Sequence, residues 1–168
     1  MASGGNGALG HVSGELFKVM TGIDMVHVPY RGDVAALSDL LGNRVQVHFS
    51  GLASSIETIR TGKLNALAVT TRTRSSGLPH IPALSDFVPG YESSAWFGVG
   101  APKNTPAEII GKLNKEINAA LADSKIQARI ADLGGSVLPG SPADFGKLIA
   151  EETEKWGKVV KFAGIKTD

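Results

Sequence analysis

The segment from residue 26 to residue 49 reads VHVPYRGDVAALSDLLGNRVQVHF, and it constrains the fold more than any other part of the chain. Its two ends are rich in alternating apolar residues, as β-strands are. Between them, Gly32 and Gly42 enclose a short helical pattern with Asp33 as the expected N-cap. The segment is therefore predicted to be a βαβ unit, in which the loop that opens the helix is a place where α/β proteins bind small ligands.

A second glycine-rich loop, SGGNG at residues 3–7, precedes a helical pattern over residues 9–21. Successive backbone N–H groups of such a loop, next to a helix N-terminus, form a concave site for an anion without any charged side chain. Ser3 and Asn6 can add side-chain hydrogen bonds, and Gly7, Ala8 and Leu9 can donate backbone N–H groups. The alternative is an ordinary turn into a helix.

The two halves of the chain differ in their predicted elements. Residues 1–92 alternate strands and helices, with a short helix over 54–61 and a buried strand over 64–70. The second half contains one strand, over 94–101, and three helices, which begin at Thr105–Pro106, Ser124 and Ser141–Pro142. Because one strand cannot form a sheet, this half needs partners, either from the first half or from a domain that is absent.

Composition excludes several classes of protein. The 168 residues suit one ordinary domain or an incomplete piece of a larger protein, and a net charge of +1 gives no electrostatic argument for binding nucleic acid or an anionic membrane. The absence of cysteine removes disulfides and soft metal sites, and no cofactor is predicted. The first ten residues carry no export signal, so the chain as given is expected in the cytoplasm. Ala2-Ser3 nevertheless looks like the end of a strand that starts upstream.

Catalysis is not predicted. The sequence contains no G-x-S-x-G, H-E-x-x-H, P-loop or EF-hand pattern. The loop at residues 3–7 is not a dinucleotide fingerprint, because no complete strand precedes it and no acidic residue follows at the required strand end. A binding protein is therefore favoured over an enzyme.

Several motifs in one order give the chain a specific resemblance. It resembles the Bug family, the extracytoplasmic solute receptors of tripartite tricarboxylate transporters. The motifs are SGGNG at residues 3–7 with Gly10-His11, HVPYRG at 27–32, DLLGNRVQV at 39–47, GKLNALAVT at 62–70, PGYE at 89–92 and WGKVV at 156–160.

This resemblance implies a truncated α/β protein of the periplasmic binding protein type II class, corresponding to about the C-terminal half of a two-lobed clamp. Residues 1–92 would be the second lobe, with its βα units and ligand loops. Residues 93–168 would be the crossover strand and C-terminal helices of an incomplete first lobe. The implied role is that of a periplasmic receptor that passes a small carboxylate to the membrane permease subunits of the transporter.

The resemblance also carries the candidate ligand-binding residues, which are Ser3, Gly5, Asn6, Gly7, Ala8, Arg31, Gly32 and Ser50. Ala8 stands where the family commonly has Thr or Ser, which removes a hydroxyl donor. Ser50 stands where the family often has Asp, and this change favours a ligand without a cationic group. Arg31 either pairs with a ligand carboxylate or is a solvated surface charge.

Four further residues have competing interpretations. His11 either reaches the loop at residues 3–7 or is a surface or packing histidine, and the second is favoured. His48 is expected on the polar face of its strand. Trp96 and Phe97 lie at the expected crossing between lobes, where core positions are favoured over ligand contact.

A rival hypothesis is a truncated, non-binding fragment that self-associates. Without its other lobe, the chain would expose the apolar faces of residues 94–101 and of the last helices. Exposed apolar surface of that size is usually covered, so a homodimer through these first-lobe surfaces is predicted.

Overall fold

The computed structural model describes residues 1–165 and contains two short strands, six α-helices and one 3₁₀ turn over that range. In chain order these are β1 (Ala2–Ser3), α1 (Leu9–Thr21), β2 (Val28–Pro29), α2 (Asp33–Leu41), α3 (Leu52–Arg60), the 3₁₀ turn (Leu84–Asp86), α4 (Ala107–Ala122), α5 (Ser124–Asp132) and α6 (Pro142–Ala163). None of these helices is long and apolar enough to cross a membrane.

The predicted helices are confirmed, because the ends of a helix are determined by residues close to them in the sequence. Helix α1 ends at Gly22, whose φ of 71° is left-handed and whose N–H donates to the Lys18 carbonyl at 2.8 Å. Helix α6 begins with a capping box, in which the Ser141 N–H donates to the Asp144 carboxylate at 2.8 Å and the Asp144 N–H donates back to Ser141 Oγ at 3.2 Å. Helix α2 begins one residue earlier than predicted, so Gly32 rather than Asp33 is its N-cap.

Three parallel segments form the sheet, with β1 in the middle. The Val28 N–H donates to the Met1 carbonyl at 2.9 Å on one side of β1. On the other side, the Ala2 N–H donates to the Val47 carbonyl at 2.7 Å, and Ala2 pairs with His48. Because the segments are parallel, the loops that follow all three leave the sheet at the same edge.

Helices cover both faces of this sheet. Met1 packs against Gly14 of α1, whereas Ala2, the next residue, lies in a buried cluster with Ala36 of α2 and Val45. This alternation explains why the prediction for His48 was wrong. The His48 side chain is only 1% exposed, because α2 covers the face that was expected to meet water.

Two predicted strands are wrong. Within residues 64–70 only Val69 pairs, with Ala83, and Leu67 is 76% exposed rather than buried. Residues 94–101 make no backbone hydrogen bond to any residue from 1 to 165, and Phe97 is 98% exposed. A β-propensity pattern becomes a strand only when a neighbouring strand accepts its hydrogen bonds, and the described part of the chain supplies none there.

The chain crosses from the first half into the second against helix α1. The Tyr91 hydroxyl donates to the Ser13 carbonyl at 2.9 Å, and the hydroxyls of Ser13 and Ser93 lie 2.6 Å apart. Helix α6 packs along α1, but α4 and α5 contain no buried residue and α6 contains only Val159. The core therefore lies among β1, α1 and α2, where the candidate site is also built.

Candidate ligand-binding site

Three loops meet at the carboxyl edge of the sheet. We call them loop 1 (residues 3–8), loop 2 (residues 30–32) and loop 3 (residues 49–51). The Gly32 N–H of loop 2 donates to the Gly4 carbonyl of loop 1 at 3.0 Å, and a Cβ on Gly10 would overlap the Phe49 carbonyl at the start of loop 3. The N-termini of α1, α2 and α3 follow these loops directly, so three positive helix ends share one region.

Loop 1 is held in shape by the buried Ser3 hydroxyl. Ser3 Oγ accepts the Gly5 N–H at 3.2 Å and lies 3.0 Å from the Gly5 carbonyl and 2.7 Å from His27 Nε2. Gly5 and Gly7 have φ of 141° and 70°, values that side chains rarely allow. Loop 1 therefore has a single, well-defined conformation, and this conformation requires Gly5 and Gly7.

Some backbone donors of loop 1 are already used within the protein. The Gly7 N–H donates to His11 Nδ1 at 3.1 Å, and the Ala8 N–H donates to the Gly5 carbonyl at 3.2 Å. The N–H groups of Asn6, Leu9 and Gly10 have no acceptor within residues 1–165. Ala8 is the N-cap of α1 and makes no side-chain cap, so the first turn of α1 presents unpaired donors.

The remaining candidate residues of loops 2 and 3 lie at the same edge. Arg31 is exposed and makes no ion pair or side-chain hydrogen bond within the described residues. Gly32 has a φ of 99°, which suits the close approach of loop 2 to loop 1. Ser50 Oγ contacts the Gly51 carbonyl at 3.2 Å and Ser54 Oγ at 3.3 Å, so it lies beside the start of α3.

Asp33 follows loop 2 directly and was expected to act only as the N-cap of α2, but its carboxylate lies among the candidate residues. A Cβ on Gly4 would lie 2.9 Å from Asp33 Oδ1, and a Cβ on Gly51 would lie 3.5 Å from Oδ2, so the carboxylate sits between loops 1 and 3. Oδ1 is 3.3 Å from Nε2 of the buried His48. Burial lowers the pKa of His48, against the opposing effect of Asp33, so a neutral imidazole donates its Nε2–H to Asp33. The available signal was an acidic residue directly after a ligand loop.

His11 is neither a surface residue nor ordinary packing. Its ring is buried and stacked on that of His27, with centroids 3.6 Å apart and planes within 10°. Both rings lie under loop 1, and each contacts it through one nitrogen. The sequence placed His11 near the loop but did not associate it with His27.

A cavity of about 340 Å³ opens beside the first residue of α1. Its lining is mainly apolar and includes Leu9, Trp96, Phe97, Ile149 and Trp156. Trp96 meets Phe145 edge-on at 5.4 Å, and Trp156 Nε1 donates to Glu152 at 2.8 Å. Trp96 and Trp156 are thus half-exposed and line a cavity. The prediction that Phe97 lies in the core is wrong.

The backbone N–H groups and helix N-termini of this arrangement are chemically suited to an anion. Residues 1–165 contain no group of three or more His, Asp or Glu side chains that could hold a metal ion. The fold is that of the α/β binding-protein class, in which loops at the carboxyl edge of a parallel sheet are the usual place for a small molecule.

The family model described as "Tripartite tricarboxylate transporter family receptor" matches residues 1–165, so the chain belongs to that family. This confirms the predicted Bug-type resemblance and the prediction of a binding protein rather than an enzyme.

Curated relatives support the assignment. Protein BugT of Bordetella pertussis is 35% identical over 161 residues, which are 95% of this chain and 49% of BugT. A UPF0065 protein of Pseudomonas knackmussii is 32% identical over 158 residues, which are 93% of this chain and 94% of that relative. The chain thus spans about half the length of BugT and almost the whole length of the Pseudomonas knackmussii protein.

Solved structures confirm the predicted fold class. "R. palustris Rpa4515 with adipate" superposes with a TM-score of 0.84 at 40% identity, over 95% of this chain and 54% of that one. The periplasmic binding protein BugD gives 0.82 at 31% identity, over 99% and 57%. MatC from Rhodopseudomonas palustris with bound malate gives 0.79 at 28% identity, over 95% and 56%.

Proposed function

We propose that this chain is the part of a solute-binding receptor that carries the ligand loops, and that its ligand is a small carboxylate. The main observation behind the proposal is that N–H groups without an acceptor in residues 1–165 lie at the start of α1, directly beside an apolar cavity. Support comes from two structural neighbours, one solved with adipate and the other with malate.

In this proposal the ligand carboxylate binds at loop 1. The N–H groups of Asn6, Leu9 and Gly10 donate to it, and the dipole of α1 adds about 0.3–1 kcal/mol at an exposed site. The guanidinium of Arg31, one loop away and without an ion-pair partner among residues 1–165, supplies a positive charge that can turn toward the same anion. Ser3, Gly5, Gly7 and Ala8 act by shaping loop 1, while Ser50 bounds the far side of the site.

The apolar part of the ligand then extends into the cavity. Leu9 joins the two regions, since its N–H belongs to the anion site and its side chain lines the cavity wall. Trp96 and Trp156 also line the cavity, and their rings bury methylene groups well. A carboxylate with a short hydrocarbon chain matches this combination of a polar end and an apolar wall.

We further propose that the two halves have separate roles in a two-lobed clamp. Residues 1–92 form the lobe with the ligand loops, and residues 93–168 belong to a first lobe whose remaining strands pair with residues 94–101. Residues 94–101 have no backbone partner within residues 1–165, and this and the exposure of Phe97 support the division. The receptor would act in the periplasm and deliver its ligand to the permease subunits of the transporter.

The first test is calorimetric titration of the chain with adipate and with malate, accompanied by thermal denaturation. Ligand at a hundredfold excess over its Kd is expected to stabilise the folded state by about 2.7 kcal/mol. Arg31→Ala should weaken binding, whereas Arg129→Ala, which removes an exposed arginine of α5 far along the chain from the loops, should not. If both variants bind the ligand equally well, Arg31 does not contact it. If neither ligand gives heat or stabilises the chain, carboxylate capture by this chain is refuted.

The alternative function is self-association without ligand binding. Phe97 is 98% exposed and Val99 is 69% exposed, on a segment with no backbone partner in the described part of the chain, and this favours self-association specifically. Two copies that exchange their C-terminal portions would cover these side chains. Sedimentation equilibrium distinguishes the two proposals, because a dimer whose stability adipate and malate do not change supports the alternative, and a monomer stabilised by either ligand contradicts it.

A further inference from the structure

The stacked pair His11 and His27 joins two different elements beneath loop 1. His11 belongs to the first turn of α1, and His27 lies just before β2. Their rings are nearly parallel at 3.6 Å, which is closer than aromatic side chains usually stack. Nothing in the proposed ligand contacts uses these rings directly.

Each ring of the pair holds one point of loop 1. His11 Nδ1 accepts the Gly7 N–H at 3.1 Å, and His27 Nε2 lies 2.7 Å from Ser3 Oγ. Ser3 Oγ in turn accepts the Gly5 N–H. The conformation of loop 1 from Ser3 to Gly7 therefore depends on two imidazole nitrogens, one at each end.

The hydrogen bond to His11 specifies its protonation state. An N–H group can donate only to an unprotonated nitrogen, so Nδ1 of His11 must be free of a proton and the neutral ring carries its hydrogen on Nε2. If His11 takes up a proton at Nδ1, two N–H groups face each other and Gly7 must move. Loop 1 cannot keep this shape around a charged His11.

The surroundings of the pair favour the neutral forms. Burial lowers the pKa of His11, and burial together with the neighbouring His11 ring lowers the pKa of His27 to about 4. Glu15, whose Oε1 is 3.9 Å from His11 Nε2, raises both pKa values but is itself paired with Lys18 at 3.1 Å. Lys18 lowers both pKa values, and the amino group of Met1 also lowers that of His27.

We propose that His11 and His27 are positioning residues for loop 1, and that the loop keeps its ligand-binding shape only while His11 is neutral, so that acid weakens carboxylate capture through the loop. The part of this inference that concerns the ligand rests on the proposed function. The part that concerns the loop does not, because it can be observed without any ligand.

The loop is tested by nuclear magnetic resonance of the ligand-free chain between pH 8 and pH 4. The expected result is that the ¹⁵N shifts of His11 show an unprotonated Nδ1 above pH 6. The amide resonances of Gly5 and Gly7 should then move together with the protonation of His11 at lower pH. If His11 titrates like a free histidine while the Gly7 amide stays unchanged, the proposal is overturned.

Two conservative variants test the same point by substitution. His11→Asn places an amide oxygen where Nδ1 accepts the Gly7 N–H, and His27→Gln places a polar atom near Ser3 Oγ. Both keep the contacts without titrating near neutral pH, whereas His11→Leu removes the acceptor altogether. The Gly7 amide of the double variant His11→Asn/His27→Gln should stay near its neutral-pH position down to pH 4, and that of His11→Leu should be shifted at every pH. A folded His11→Leu protein with an unshifted Gly7 amide would contradict the proposal.

Binding of adipate supplies the functional test. Because the carboxylates of adipate also take up protons in acid, the double variant serves as the baseline at each pH. Relative to that baseline, the Kd of the wild-type chain should be unchanged from pH 8 to pH 6 and should rise by up to about tenfold for each pH unit below the pKa of His11, because one proton is taken up at Nδ1. Parallel profiles would overturn the coupling. Absence of adipate binding at every pH would refute the proposed ligand class, and the resonance titration would then decide the positioning role by itself.

Discussion

Replacing Gly10 with alanine is expected to destabilise the protein through a single backbone contact. A Cβ on Gly10 would approach the Phe49 carbonyl oxygen well inside the 3.0 Å limit that real Cβ contacts respect. Neither partner can move alone, because Gly10 is fixed by α1 and Phe49 by the pairing of the neighbouring His48 with β1. Overpacking of this kind costs about 1–3 kcal/mol.

A second glycine provides the matched control. Gly111 lies inside α4, and a Cβ there would meet nothing within 4 Å. Both alanine variants reduce the conformational entropy of the unfolded chain, which stabilises by about 0.4–1 kcal/mol. The difference between the two variants therefore isolates the contact with Phe49.

Urea denaturation followed by circular dichroism measures this difference. With a slope of about 2 kcal/mol per molar urea, a cost of about 1–3 kcal/mol places the midpoint of Gly10→Ala about 0.5–1.5 M below that of Gly111→Ala. Gly111→Ala itself should lie slightly above wild type. Equal midpoints for the two variants would show that α1 is not pressed against loop 3, and the proposed geometry of the loops would then be wrong.

Three further outcomes follow from individual contacts. Tyr91→Phe should lower the free energy of unfolding by about 1 kcal/mol, measured by the same urea assay, since it removes the buried hydrogen bond to the Ser13 carbonyl. Because the pKa of His27 falls from 6.5 to about 4 on folding, the unfolded chain binds more protons between these values, and stability should decrease as pH falls from 6.5 toward 4. After allowance for solvent screening, the shifted pKa of His27 changes the free energy of unfolding by about 1 kcal/mol over this pH range. His27→Gln should remove this contribution to the pH dependence of stability. Asp33→Asn keeps a hydrogen-bond acceptor for His48 but removes a negative charge beside loop 1, whose repulsion of the ligand is worth roughly 1 kcal/mol. Adipate should therefore bind several-fold more tightly to this variant in calorimetry. An unchanged affinity would place the ligand elsewhere.

The sequence by itself determined the helices, the family and the place of the loops. Helix ends depend on contacts within one turn, so Gly22 and the capping box at Ser141 could be recognised from residue type and spacing alone. The βαβ pattern over residues 26–49 likewise placed loop 2 at the carboxyl edge of a parallel sheet, because its direction follows from chain order.

Only the tertiary structure decided which side chains complete the site. The burial of His48 depends on α2 covering a particular sheet face, and the stack of His11 on His27 joins residues that are separated by α1 and a turn. Residues 94–101 have the composition of a strand but pair with no segment among residues 1–165, because strand formation requires hydrogen-bonding partners from another part of a protein. Local pattern cannot specify these features, since each results from surfaces that meet only after the chain has folded.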